Sequence, residues 1–235
     1  MTVNEIMAQL QANGSESIKK ILLKHGVKEP FFGVKVEFLK TIQKKVKKDY
    51  HVAKDLYATG NADAMYLAGL ISDDAMMTKG DLQAWVEMAV SNNISEYTVP
   101  WVAAEGNYGY EMGLQWIGDN REHVAAAGWS TLSNLVALKP NAELDFDAIR
   151  SLLARIVKEI HSSQNRVKYT MNGFIVAVGC YIPSLTDEAL AISKTIGPIT
   201  VDMEGTACKI PEAAVYIDKL KARGKLGVKK KTVKC

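Results

Sequence analysis

One pattern occurs twice in the chain, offset by 45 residues, and it restricts the available folds more than any other feature. Asn120-Arg121 leads to Val124-Ala125-Ala126-Ala127-Gly128-Trp129, and Asn165-Arg166 leads to Tyr169-Thr170-Met171-Asn172-Gly173-Phe174. Each copy continues through apolar residues to a proline, Pro140 in the first and Pro183 in the second. Asn61, with Gly69-Leu70 the same distance on, is an upstream relative. Self-similarity at such a period marks stacked helix pairs, because one pair cannot bury its apolar face alone.

Helical spacing extends beyond the repeat. Ile6, Leu10, Ile18, Ile21 and Leu22 predict two short helices over 3–25, with Asn13-Gly14-Ser15 as stop and N-cap. Val36, Leu39, Ile42, Val46 and Tyr50 form one stripe of an amphipathic helix over 34–50, with lysines opposite. Further helices are predicted over 53–57, 61–77, 82–90 behind an Asp81 cap, 98–105 with Pro100 in its first turn, and 108–117. The stretch 91–96 reads as a polar loop. Downstream helices are expected over 121–138, from Asp145 or Asp147 to 160, over 166–182 and over 186–196. Residues 197–201 read as extended, and Pro211 is placed to open a last helix to Ala222, which Gly224 caps. No segment alternates with period two between hairpin turns. The expected fold is therefore all-α, a right-handed superhelix of stacked antiparallel helix pairs of the HEAT/ARM-like α–α solenoid kind. Residues 1–223 are expected to form its single domain, and 224–235 a basic tail.

Glycine inside a helix costs about 1 kcal/mol relative to alanine, so its recurrence at 69, 128 and 173 points to close helix–helix approach. The asparagine eight positions earlier fits an N-cap. Arg121 and Arg166 then recur at one edge of the stack, where a curved solenoid presents a concave binding face.

Catalytic and cofactor signatures are absent. The chain has no P-loop, dinucleotide fingerprint, HExxH, CxxC or GxSxG. His25, His51, His123 and His161 lack ligand-like spacing, and no metal or cofactor is expected. Cys180, Cys208 and Cys235 are scattered, which suits reduced thiols. With no basic-apolar leader at Met1 and no apolar run of about 18 residues, the expectation is a cytoplasmic monomer away from membranes. A net charge of +3 implies no nucleic acid by itself, but lysines crowd 40–48 and 225–234. Such clusters suit phosphates, as they also suit a solvated helix face and a frayed end. The densest unusual chemistry is Glu96-Tyr97-Thr98-Val99-Pro100-Trp101, continuing to Glu105 and Tyr108-Gly109-Tyr110. Aromatics beside carboxylates suit a cationic ligand or a stacked base.

Taken together, four features resemble the AlkD-like DNA alkylation-repair family. These are Phe32-Gly33-Val34 before a lysine-rich helix, the aromatic-acidic stretch, the Gly128-Trp129 and Gly173-Phe174 helices, and Ala207-Cys208-Lys209-Ile210-Pro211 followed by Gly224-Lys225-Leu226-Gly227-Val228-Lys229-Lys230-Lys231. The resemblance covers nearly the whole chain. It implies a HEAT-like solenoid that grips duplex DNA and excises positively charged alkylated purines, a carboxylate stabilising the developing sugar cation. Residue by residue, it sets Val99 at the position of the catalytic aspartate, Ser95 at one cleft tryptophan, Phe174 at the other, and Ala125 at the DNA-contacting arginine. Glu96 and Glu105 are then the substitute catalytic carboxylates, and Trp101, Trp129 and Phe174 the cleft aromatics. Arg121, Arg166, Lys168, Lys229, Lys230 and Lys231 are the expected contacts to the DNA backbone. The implied partner is double-stranded DNA, alkylated DNA included. The alternative is a non-enzymatic HEAT-like scaffold for nucleic acid or protein.

Overall fold

The computed structural model describes residues 1–203, 210 and 212–235. Thirteen α-helices stand in it, and among the described residues there is no strand. The first three, α1 (Val3–Ala12), α2 (Glu16–Lys24) and α3 (Val36–Val46), precede a series of antiparallel pairs. An outer row consists of α4 (Tyr50–Ala58), α6 (Lys79–Glu87), α8 (Gly109–Trp116), α10 (Phe146–Glu159) and α12 (Thr186–Ile196). The inner row consists of α5 (Ala62–Ile71), α7 (Val99–Glu105), α9 (Glu122–Leu138) and α11 (Asn165–Tyr181), and α13 (Ala213–Ala222) packs on α11 and α12. The chain is an α-solenoid whose inner helices lie against one another, α9 contacting both α7 and α11.

Helix ends depart from the sequence reading where a local cap beats periodicity. The helix expected over 34–50 stops at Val46, because Lys47 takes φ 65° and Asp49 caps α4 by accepting from Val52 N–H. The helix expected over 61–77 stops at Ile71, and a 3-10 turn over Asp74–Met76 follows. α6 is opened by Thr78, with Asp81 completing a capping box as its third residue. The polar stretch before α7 is helical rather than loop: Ile94–Thr98 form a π-turn, in which Val99 N–H donates to Ile94 O. Pro100 has no N–H to give the Glu96 carbonyl, so the regular ladder cannot start one residue earlier. Cys208, Pro211 and the segment Ala207–Lys209 lie outside the described residues.

The repeated glycines do not share one purpose. A Cβ at Gly69 would collide with the Thr98 side chain, and one at Gly128 would lie 2.6 Å from the Ile117 backbone nitrogen. At Gly173 it would meet nothing within 4 Å. The asparagines diverge too. Asn61 caps α5, accepting from Asp63 and Ala64 N–H, whereas Arg121 and Gln164 occupy the other two N-cap positions without side-chain caps. Asn165 instead pairs with the backbone of Asp202, donating to its carbonyl at 2.8 Å and accepting from its N–H at 2.7 Å.

Residues 227–234 are a docked strap, where sequence composition suggested a free tail. It runs backward across the stack over the C-terminal ends of the inner helices. Gly227 N–H donates to Cys180 O on α11, and Lys230 N–H to Ala137 O on α9. Farther on, Glu105 at the end of α7 accepts from the Thr232 hydroxyl and from Val233 N–H, and Lys234 reaches Asp74 beyond α5 at 2.7 Å. Val233 is buried against the core. Cationic side chains at helix C-termini also complement the macrodipoles.

Candidate nucleic-acid interface

The N-terminal edge of the inner row carries the most constrained polar group in the molecule. The π-turn before α7 and the first turn of α11 bring Glu96 and Arg166 together across 70 residues of sequence. Arg166 donates from Nε and Nη2 to the two carboxylate oxygens of Glu96, each at 2.6 Å. The Glu96 side chain is 1% exposed and that of Arg166 12%. Burial works against the charge on Arg166, but the hydrogen bonds and charge of Glu96 outweigh it and raise the guanidinium above its ordinary pKa. The pair is a planar, two-pronged contact of the strongest geometry available to these groups.

Tyrosines surround it. The Arg166 guanidinium lies 4.4 Å from the centroid of Tyr169, one turn on along α11, and the Tyr169 and Tyr97 hydroxyls are 3.4 Å apart. Tyr97 contacts Trp101 edge-on at 6.4 Å, and Trp101 contacts Tyr66 at 5.4 Å. Arg166 N–H also donates to Glu122 of α9 at 2.8 Å, which ties α11 to its neighbour. On α11 the half-buried residues Arg166, Tyr169, Gly173 and Val176 fall on one face at intervals of three and four. The open space at Gly173 is on that face.

Other expected residues lie elsewhere. Trp129 and Phe174 are both 0% exposed and meet edge-to-face at 5.5 Å, so they are core contacts between α9 and α11 and present no surface to a groove. Both rings fill the space between the two helices rather than the open face that carries Gly173. Val99, Ser95 and Ala125, the positions that the resemblance assigns to catalytic and DNA-contacting groups, are likewise buried. Glu105 lies at the opposite end of α7 from Glu96 and holds the strap. Arg121 does stand at the N-terminal edge, half exposed, but Asp119 and Glu87 already surround it at 2.8 and 3.1 Å. His123 beside it is pushed down from the ordinary histidine value by burial and by Arg121. Lys168 is half-buried on α11.

The strap lysines divide. Lys229 turns inward, donates to Val136 O at 2.7 Å, and is lowered in pKa by its burial. That removes it from the expected phosphate contacts, since its ammonium caps α9. Lys230 is exposed, its ammonium 5.9 Å from the Tyr181 ring, and Lys231 is exposed. Tyr169 is a functional candidate that sequence reasoning missed, whereas its partner Tyr97 stood within the aromatic-acidic stretch. The sign was there to read, a tyrosine three residues after the repeated arginine. Among the described residues, no three His, Cys, Asp or Glu side chains gather as a metal site. Among those residues, no single helix is long and apolar enough to cross a membrane.

Comparison with known proteins bears on what this edge serves. Residues 6–214 match the family described as DNA alkylation repair enzyme. Two uncharacterised proteins, Lin0241 of Listeria innocua serovar 6a and Lmo0209 of Listeria monocytogenes serovar 1/2a, are each 28% identical to this chain. The matches span 95% and 96% of this chain, and 99% and 100% of theirs. A solved structure superposes over 100% of both chains, with a TM-score of 0.92 and 34% identity. It comes from a new family of proteins related to the HEAT-like repeat DNA glycosylases with affinity for branched DNA structures.

Proposed function

Since the chain belongs to the DNA alkylation repair enzyme family, we propose that it binds DNA, branched DNA included, and does not excise bases. One observation carries the second half of this reading. The groove carboxylate, Glu96, is held by both oxygens in a buried pair with Arg166. A carboxylate that stabilises a sugar cation has to face that cation with free oxygen lone pairs. Releasing Glu96 for that work would strand a buried guanidinium, at a cost of several kcal/mol. Val99, one turn further on, offers no carboxylate at all and is buried.

DNA affinity is supported by the family, by the named affinity of the 34%-identical relative, and by the cations of the molecule. Arg121, Lys168, Lys230 and Lys231 are proposed as phosphate contacts, with the Tyr97–Tyr169 pair as a stacking surface for unpaired bases at a branch. Free thiols at Cys180 and Cys235 suit a cytoplasmic protein.

The test is a titration of four-way junction and linear duplex at several salt concentrations, with methylated duplex incubated in parallel. Junction affinity is expected to fall linearly with salt on a log–log plot, and no methyl-purine is expected in the supernatant. Failure to bind either DNA at low salt would remove the reading. Release of methyl-purine would overturn the non-excising half and return Glu96 to catalysis.

A further inference from the structure

The two lysine-rich segments of the sequence, 40–48 and 225–234, are far apart in the chain, yet the structure brings Lys234 of the second beside the first. A cavity of about 440 Å³ opens at the C-terminal edge of the inner row, lined by Lys44, Lys47, Lys48 and Lys234, with Gln43 and Glu105. Two of these groups are already engaged. Lys234 is paired with Asp74, and Glu105 holds the strap backbone. Among the described residues, Lys44, Lys47 and Lys48 have no carboxylate at ion-pair distance. Three lysines outside any ion pair thus line one concavity, with Glu105 and Cys235 also in its wall and Lys48 near enough to Asp74 to draw its pKa down.

The wall that carries them is fixed in place. Gln43 Nε2 donates to Leu70 O at 3.1 Å, and Asp49 N–H donates to Ile71 O at 2.8 Å, so the end of α3 is fastened to the end of α5. Between these two bonds the chain turns at Lys47, with φ 65° and ψ −115°. That conformation is disfavoured for a side chain with a Cβ, and glycine is the residue that would relieve it. A lysine in a glycine's conformation, beside two further unpaired lysines, implies that the ammonium matters more than the backbone. Satisfying the end of α3 accounts for one cation in its last turn; it does not account for three.

We infer that this cavity is a phosphate-binding site, and that on DNA it takes the backbone of a second run of nucleotides. The DNA source rests on the proposed function; the phosphate chemistry does not. Arg121 stands at the N-terminal edge of the inner row and this site at the C-terminal edge. Inner helices of 7 to 17 residues set the two edges about 10–25 Å apart. Groups so spaced reach separate stretches of phosphate, such as two arms of a branch.

The experiment compares the full chain with Lys44→Gln/Lys47→Gln/Lys48→Gln, and with Lys158→Gln/Lys219→Gln/Lys225→Gln, which removes the same charge from exposed sites elsewhere. Four-way junction and linear duplex are titrated against salt, and sodium tripolyphosphate is titrated by calorimetry. The first variant is expected to bind the junction roughly tenfold or more weakly, and its salt slope to fall by about 2 to 3, near 0.9 for each phosphate no longer neutralised. A weakening no larger than that of the control variant would overturn the inference. If the unaltered chain binds no DNA but binds tripolyphosphate, and the first variant does not, the phosphate site stands while the DNA reading falls. If the unaltered chain binds neither, both fall. Thermal unfolding monitors each variant, and the exposed single change Lys44→Glu serves if the triple variant does not fold.

Discussion

The two edges of the inner row are built from the same residue types and end in opposite states. At the N-terminal edge, each repeated arginine meets carboxylates: Arg121 meets Asp119 and Glu87, and Arg166 meets Glu96. Positive charge there is answered on the spot, and the geometry is stiff. At the C-terminal edge, Lys234 is answered by Asp74 and Lys229 by a carbonyl, but Lys44, Lys47 and Lys48 are left over. An edge that balances its own charges contributes order, whereas one that keeps a surplus is suited to an anion from outside. The repeat pattern first drew attention to the arginines, yet the unspent charge lies with the lysines.

The sharpest way to break this contrast is Arg166→Ala. It strands a carboxylate that is 1% exposed, and stability should drop by about 3–5 kcal/mol in urea unfolding. The double change Glu96→Gln/Arg166→Gln should cost less, because it leaves no buried charge. A single-variant loss under about 1 kcal/mol would mean that the N-terminal edge is not locked. At the other edge, Lys234→Met should cost about 1–3 kcal/mol by leaving Asp74 unpartnered. This is less than at Arg166, because burial already raises the Asp74 pKa and eases its protonation. The middle of the inner helices offers a matched pair with neither edge disturbed. Gly128→Ala would press on the Ile117 backbone and should cost about 1–3 kcal/mol, whereas Gly173→Ala, with open space around it, should stabilise by up to about 1 kcal/mol.

The smallest effect comes from the outer row and serves as the reference for an ordinary helix start. Burial pushes Asp81 up, but Lys54, Thr78 and Tyr50 hold it down at about 2. A depressed carboxylate adds stability above its unfolded pKa, and this is lost as pH falls through its folded one. The stability difference between the unaltered chain and Asp81→Asn should therefore be constant above about pH 5 and close between about 4 and 2. A difference as large at about pH 2 as at about pH 5 would refute the assignment.

Most of the architecture was legible because helix formation is local. Spacing of three and four located α5, α9, α10, α11 and α12; the errors fell at ends where one side chain decides, as at Lys47 and Thr78, and in the polar stretch whose Ile94–Thr98 turn out helical. The candidate site was far less legible. Glu96 and Arg166 stand 70 residues apart, and nothing in either segment announces the other. Trp129 and Phe174 could face inward or outward on a helix that is apolar nearly all round, and periodicity cannot choose between the two. The lysine strap has the composition of a frayed end, and only the carbonyls of α9 and α11, with Glu105 and Asp74, reveal that it has somewhere to go.

A stack of helix pairs in which each touches only its neighbours behaves as a spring, free to change its pitch by small turns at every joint. Residues 227–234 alter that mechanics. They lace Cys180, Ala137, Glu105 and Asp74 in the reverse of their order in the chain, so that flexing any one joint pulls on the rest. The lace is also translated after every helix that it ties, through Asp74, to the far end of α5. The solenoid can therefore assemble pair by pair from its N-terminus as a compliant coil, and take its working curvature only when the last stitch is drawn.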